Sequence, residues 1–330
     1  MQSDLFFRVG GCAGSYAALS ENRPVYDMNA PDLQRRDAFR RELYGGRTTS
    51  YFIRYQDTFI IVDHGLGIEP LSEFINDMLD AEGCNDKVIH CVQSHYHEDH
   101  VSGMHANALL YNKKLTLRYY SPELSKFRGS PGRTERPMMQ EIMSDCFREH
   151  EWPVTLEMLD EIGARREHVE FGLGDELKME DVSVKTVSLQ HPGGCSGFRF
   201  EFPNKKTIVV ATDYEPPDEP DSAIVEFFSG ADLLISDIQY RDAEYDGEMA
   251  IGRMKVPRRG WGHGTPRKTL SSILKCAKKP NSVRIVHHEP KRTDMELRLF
   301  YEETVRFLKD QGADHQFEYE FAHDGDVYWI

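Results

Sequence analysis

Apolar residues along this chain gather in short runs, and several of those runs end at a polar residue with chemistry to offer. Val88-Ile89-His90-Cys91-Val92 has the length and content of a buried strand, while Val182 to Leu189 alternates apolar and polar as a half-buried strand does. Thr207-Ile208-Val209-Val210-Ala211-Thr212, Leu233-Leu234-Ile235, Phe198 to Glu201 and Val283-Arg284-Ile285-Val286 read as further strands. Helical spacing appears between them, for example from Leu71 to Leu79 and from Thr269 to Lys278. Strands then helices, twice over, predict an α/β chain with two sheets between helical layers, a four-layer αββα sandwich.

Two regions depart from that plan. From about 122 to 161, clustered arginines and Ser130-Pro131-Gly132 precede apolar spacing at Met139, Ile142, Met143 and Phe147, which predicts a loop followed by an amphipathic helix. We expect it to be an insertion over the functional face, serving either as a lid or as a dimer contact. From Glu21 to Glu42 the chain is polar and punctuated by prolines, without a strand or helix signal before Ala38, and Tyr44-Gly45-Gly46 beyond it reads as a turn.

The strand ends carry the chemistry. Immediately after the strand at 88–92 comes Ser94-His95-Tyr96-His97-Glu98-Asp99-His100, which places three histidines and an aspartate within six positions. Neutral imidazoles and carboxylates are the donors that suit zinc and its borderline neighbours, and an HxHxDH spacing is far more restrictive than a lone HxH pair. A metal cradle is the expectation. Further ligands must come from distant strand ends, and three candidates lie in order: His191 after Val182 to Gln190, Asp213 after Thr207 to Thr212, and His287 or His288 after Val283 to Val286. Gly193-Gly194 after His191 suits the positive-φ turn needed to enter the next strand. Metal ligands scattered from position 95 to position 287 must converge, so one domain over 1–330 is expected even though the length would allow two.

In this cluster, with His191, Asp213 and the late His287, and in the turn Ile61-Val62-Asp63-His64-Gly65, the chain resembles the metallo-β-lactamase-fold hydrolase superfamily over nearly all its length. The resemblance implies one divalent ion held by His95, His97 and His191, a second held by Asp99, His100 and His287, and Asp213 bridging them. Zn2+ is the expected metal, with Mn2+ as an alternative. Asp232 to Asp237 followed by Gly260-Trp261-Gly262-His263-Gly264-Thr265 is similar to the paired acid and His-Ser-Thr loop of the phosphodiesterase branch that includes tRNA 3′-end endonucleases. Thr212-Asp213-Tyr214-Glu215, Ile238 to Tyr245, His287-His288-Glu289-Pro290, Arg8 to Ser15 and Tyr44 to Ser50 resemble a bacterial subgroup associated with cyclic nucleotides. Gly264, Asp237 and Arg47 depart from that pattern, standing where it has a hydroxyl residue, a glutamate and an asparagine.

A water between two divalent ions is acidified toward neutrality, and the pair clamps a phosphoryl oxygen. The resemblance then implies that Asp99 orients that nucleophile as well as binding metal, that His263 protonates the leaving alkoxide, and that Asp237 holds His263 charged and aimed. Charge narrows the substrate. With 55 acidic against 40 basic residues, a net charge of −15 repels a long polyanion, so no long nucleic acid is expected as substrate. Arg253, Lys255, Arg258, Arg259, Arg267 and Lys268 nevertheless crowd around His263, as a local rim for a small phosphate ester or simply as a solvated loop. The leading expectation is a metal-dependent phosphodiesterase acting on a small phosphodiester such as a cyclic nucleotide. A nuclease on RNA or DNA ends is the alternative, and a lactone or thioester hydrolase the second.

Six cysteines show no paired spacing, and neither a basic apolar leader nor a run of ~20 apolar residues is evident. A cytoplasmic chain without membrane contact is the expectation, and similar phosphodiesterases lead us to expect a homodimer.

Overall fold

The computed structural model describes residues 4–18, 43–123, 138–150 and 152–330. Two seven-stranded sheets face each other. The first runs in the order β14-β1-β2-β3-β4-β5-β6, built from β1 (Leu5–Gly11), β2 (Ser50–Tyr55), β3 (Thr58–Val62), β4 (Lys87–Val92), β5 (Leu115–Pro122), β6 (Arg165–Phe171) and β14 (Val327–Trp329). The second runs β13-β12-β11-β10-β9-β8-β7, from β7 (Glu176–Met179), β8 (Val182–Leu189), β9 (Cys195–Glu201), β10 (Thr207–Ala211), β11 (Leu233–Asp237), β12 (Ser282–Val286) and β13 (Glu318–Phe321).

Alternation along the strands decides the layers. Phe7, Val9, Ile53, Ile60 and Val62 of the first sheet meet Val182, Val184, Phe198, Phe200, Val210 and Ile235 of the second in a shared apolar interior. The opposite face of the first sheet, with Phe52, Phe59, Ile61, Ile89 and Leu117, is covered by the helix Ile68–Ala81 through Ile68, Leu71, Ile75 and Leu79. The opposite face of the second is covered by the helices Ser222–Phe228, Ser271–Lys275 and Asp294–Asp310. Thr293 and Glu296 close a reciprocal cap that starts the last of these. The sandwich is therefore αββα, as its alternating pattern predicts.

Parallel pairing places the functional ends together. β3, β4 and β5 run parallel, as do β10, β11 and β12, so the residues that follow β3, β4, β10, β11 and β12 emerge at one edge. Between the sheets at that edge, Cys12 to Gly14 forms a cross-brace: Ala13 N–H donates to Arg47 O, His288 N–H to Cys12 O and Gly14 N–H to His288 O. Asp324 completes the clasp by accepting from the N–H groups of Cys12, Gly46 and Arg47.

Two expectations shift. The helix read over Thr269 to Lys278 is shorter: a wide turn over Pro266–Leu270 leads into Ser271–Lys275, and Cys276 has already left helical backbone with ψ of 133°. In the 122–161 region, residues 124–137 and 151 lie outside the described residues, as does Glu21 to Glu42. The helices Met138–Cys146 and Leu156–Ile162 bury Met139, Met143 and Leu159 in the outer layer against the first sheet.

His90 sits on the inward face of β4, with Nδ1 3.2 Å from the Tyr120 hydroxyl, and burial lowers its pKa from 6.5 to about 4. A folded-state pKa below the unfolded one adds stability above pH 6.5 that is lost as pH falls toward 4. We expect His90→Gln to flatten the acid side of the stability curve, removing a slope of up to about 1.4 kcal/mol per pH unit between those limits, as read by denaturant unfolding at successive pH values.

Candidate metal centre

Three backbone turns aim the site. Asp63, Asp213 and His287 each follow a strand and each has a left-handed backbone, with φ of 59°, 60° and 57°. That conformation costs a non-glycine residue roughly 1–3 kcal/mol, so the surrounding contacts hold it in place. Their payment is a set of side chains turned back over the sheet edge. The loop after β4 supplies the rest, with His95 and then His97, the latter in extended backbone, before the short helix Glu98–Val101 carries Asp99 and His100 inward.

Hydrogen bonds on the far side of each ring decide which nitrogen faces inward. His100 donates from Nδ1 to Asp63 Oδ2 at 2.8 Å, and His191 donates from Nδ1 to Gly262 O at 3.0 Å. The Ser94 hydroxyl donates to Asp63 Oδ2 at 2.7 Å and so accepts from His95 Nδ1 at 3.0 Å. That turns Nε2 of all three rings toward the site, with a lone pair there in the neutral His95 and His191 rings. His97 instead turns Nδ1 inward, 3.0 Å from His191 Nε2.

Two clusters result. His95, His97 and His191 form one, and Asp99, His100, Asp213 and His287 form the other, with the candidate ligand atoms of each lying within 4.8 Å of one another. Asp213 joins them: its Oδ1 is 4.0 Å from His95 Nε2, 3.8 Å from His191 Nε2 and 3.2 Å from His287 Nε2, while its Oδ2 is 3.2 Å from His100 Nε2. All these residues are buried except His97, which marks the open side. His288 turns the other way, with Nε2 2.9 Å from Ala322 O and its ring stacked on Phe321, so His287 alone of the pair faces the clusters.

The donor set fits a pair of divalent ions. His95 Nε2 is buried and makes no hydrogen bond, an orphan that costs about 1–3 kcal/mol unless something compensates it, and His100 Nε2 and Asp213 Oδ2 are buried with only each other, 3.2 Å apart and poorly aligned. All three converge on one space. Burial drives the His95 ring well below its ordinary pKa and brings His191 to about 4, which suits neutral ligands. For Asp213 and Asp99, burial works upward but the neighbouring imidazoles outweigh it and hold both carboxyls well down. The same attraction outweighs burial at His287, raising it to about 8, and lifts His100 well above the usual range.

His263 lies beside this centre. Its Nδ1 is 3.2 Å from Asp237 Oδ2 and 4.0 Å from Asp213 Oδ1, and its ring stacks on His287 with centroids 4.7 Å apart. Asp237 is itself fixed by the N–H groups of Tyr214 and Gly264. Glu215, to which the sequence assigned no role, anchors the His263 loop: it accepts from Gly260 N–H, Gly262 N–H and the Tyr245 hydroxyl. Asp63 and Ser94 were likewise without a role. The turn Ile61 to Gly65 and the histidine cluster, in which they stand, hinted at one.

The basic rim is largely spoken for. Arg258 is 1% exposed and donates to the carbonyls of Glu244, Val256 and Met254. Lys268 is buried against Pro216 O and Asp218, while Arg259 and Arg267 pair with Asp246. Arg253 and Lys255 are exposed.

Residues 43–288 match the family model for the metallo-beta-lactamase superfamily. The chain belongs to that superfamily. No curated protein matches it at a significant level. Among solved structures, Zn(2+)-bound PqqB from Methylobacterium extorquens superposes with a TM-score of 0.63 at 14% identity, covering 98% of this chain and 100% of the other. Human tRNase Z, short form, gives 0.56 at 15% identity with 98% of each chain covered. A diphosphatase from the PhnP family gives 0.55 at 16% identity, covering 99% of this chain and 98% of the other. At these identities the likeness is one of fold. Among the described residues no helix is long and apolar enough to cross a membrane.

Two substitutions outside the ligand set test the geometry. Asp63→Asn weakens the acceptor behind His100, and Gly262→Ala places a Cβ 2.0 Å from His191 Nδ1 at a φ of +92°. We expect each to lower metal affinity about 10–100-fold with the fold retained, read by chelator competition and circular dichroism.

Proposed function

We propose that this superfamily member is a dinuclear metal-dependent phosphodiesterase of the branch that includes tRNA 3′-end endonucleases, cleaving a small phosphodiester, with a cyclic nucleotide as the favoured substrate. The observation that carries the reading is the His263–Asp237 pair beside the double cluster. A histidine whose Nδ1 is held by a carboxylate is a proton donor with fixed aim at its other nitrogen, and an alkoxide leaving a phosphorus needs such a donor more than an acyl leaving group does. Bound divalent ions would supply an acidified water and a clamp for phosphoryl oxygens.

The chain's own residues supply the remainder. His95, His97 and His191 would hold one ion, Asp99, His100 and His287 the other, with Asp213 between them. Asp99 is fixed from outside by Ser15 N–H at 2.7 Å, so the same carboxylate can orient the nucleophile. Two of the similar folds belong to proteins described as a diphosphatase and a tRNase, which supports phosphoester chemistry. The net charge of −15 supports a small substrate over a long nucleic acid. Zn2+ suits the nitrogen-rich half and Mn2+ the carboxylate-rich half. Two copies pairing as a cytoplasmic homodimer complete the proposal, and light scattering reads the pairing directly.

Bis(p-nitrophenyl) phosphate, cyclic AMP, cyclic GMP, a short RNA and a lactone, each assayed with added zinc or manganese, test the substrate class. Cleavage of the diesters but not the RNA or lactone is the expected pattern, and turnover of the lactone alone would overturn it. His97→Ala is expected to lose metal and activity together. His263→Ala should keep both ions and lose about 10²–10⁴ in turnover, with Asp237→Asn less severe. His263 also lies close enough to His191 and Asp213 to bind metal, so equal metal loss in the two alanine variants would make it a ligand instead.

A further inference from the structure

We propose that Trp261 is a stacking platform for the planar organic group of the substrate, a nucleobase, at the mouth of the metal centre; this rests on the phosphodiesterase reading above. The indole is 43% exposed, unusual for a residue type that is highly buried on average. Nothing about its loop is loose. Gly260 and Gly262, the residues on either side, both donate their N–H groups to the buried carboxylate of Glu215, at 2.8 and 2.7 Å, and Trp261 N–H donates to Arg258 O at 3.1 Å. Positive φ at both glycines, 80° and 92°, gives the turn that carries the ring outward.

The ring is also supported from within. The buried Arg258 guanidinium lies 5.7 Å from the indole centroid and 5.4 Å from that of Tyr240, and its three carbonyl partners hold it there. A fixed cation on one side of an indole anchors the ring while leaving its remaining surface to a ligand. Tyr240 stands between Trp261 and His263, meeting both edge-on with centroids 6.5 and 5.8 Å away. A second path reaches the open side of the centre: Gly262 O accepts from His191, and His191 Nε2 meets the exposed His97. The indole thus lies one aromatic ring, Tyr240, away from the proposed proton donor, and its neighbour Gly262 holds His191 on the open side of the centre. A flat group attached to the leaving oxygen would lie over it. Every nucleobase has such a face, so the platform favours nucleotides over alkyl esters without choosing among bases. This gives the rim an aromatic means of recognition where four of its six basic residues are already occupied elsewhere.

Metal-loaded full-length protein tests it with Trp261→Ala, Trp261→Phe, and two probes, AMP and ribose 5-phosphate. Only three tryptophans are present, so quenching by AMP that is lost in the phenylalanine variant reports position 261 and not Trp152 or Trp329. We expect the alanine variant to weaken AMP binding and raise the KM for cyclic AMP about tenfold, with kcat within twofold. Ribose 5-phosphate affinity should not change, and the phenylalanine variant should bind AMP nearly as well as the parent. Equal weakening of both probes, or of neither, overturns the platform. So does conversion of a dimer to a monomer with AMP affinity intact, which would make the indole a contact between copies. Base-dependent quenching in a protein that cleaves no diester would uphold the platform and remove the phosphodiesterase reading, whereas full diester turnover without base-dependent loss would do the reverse.

Discussion

One buried carboxylate organises this protein. Asp213 has the nitrogens of five imidazoles, from His95, His100, His191, His263 and His287, within 4.0 Å of its oxygens. A lone anion in such a place would be driven to neutralise, and the attraction of the His287 and His100 rings prevents that. The arrangement requires His95 and His100 from a loop on one sheet and His191, His263 and His287 from loops on the other, so the position of each sheet is read at a single atom group. Left-handed backbone at Asp63, Asp213 and His287 shows what that convergence costs locally.

Much of this was legible in the chain because candidate ligands and strands are written side by side. The loop from His95 to His100 is compact in sequence, and His191, Asp213 and His287 each stand where an apolar run stops. Between His287 and His288 the strand frame favoured His287 without excluding its neighbour. Successive residues point opposite ways as the chain leaves β12, and only the surroundings, Asp99 and Asp213 for one and Ala322 O and Phe321 for the other, separate them. Asp63, Ser94 and Glu215 stood in the sequence motifs without a role of their own, for a related reason. Apart from the contact of Ser94 with the adjacent His95, their work is done by hydrogen bonds to residues 30 or more positions away, and no local pattern encodes such partners.

Charge was the least informative signal. Arginines and lysines near His263 looked like one rim, yet Arg258 is a buried brace between backbone carbonyls and two aromatic rings, and Lys268 closes on Asp218 and Pro216. Composition gives the number of cations but not whom they face. The same brace holds Trp261 outward, so a residue first read as electrostatic contributes through packing and position.

The cross-brace at Cys12 to Gly14 has a mechanical meaning. It links the Arg47 turn on one sheet to His288 on the other, immediately beside the residue that presents His287. Gly14 is packed so closely that a Cβ there would lie 2.2 Å from His287 Nδ1. Ions seated between the sheets would act as a rivet through both plates, adding stability that grows with the logarithm of their free concentration. Strain that slides one plate against the other would loosen the rivet first, which couples chemical competence to the integrity of the whole sandwich.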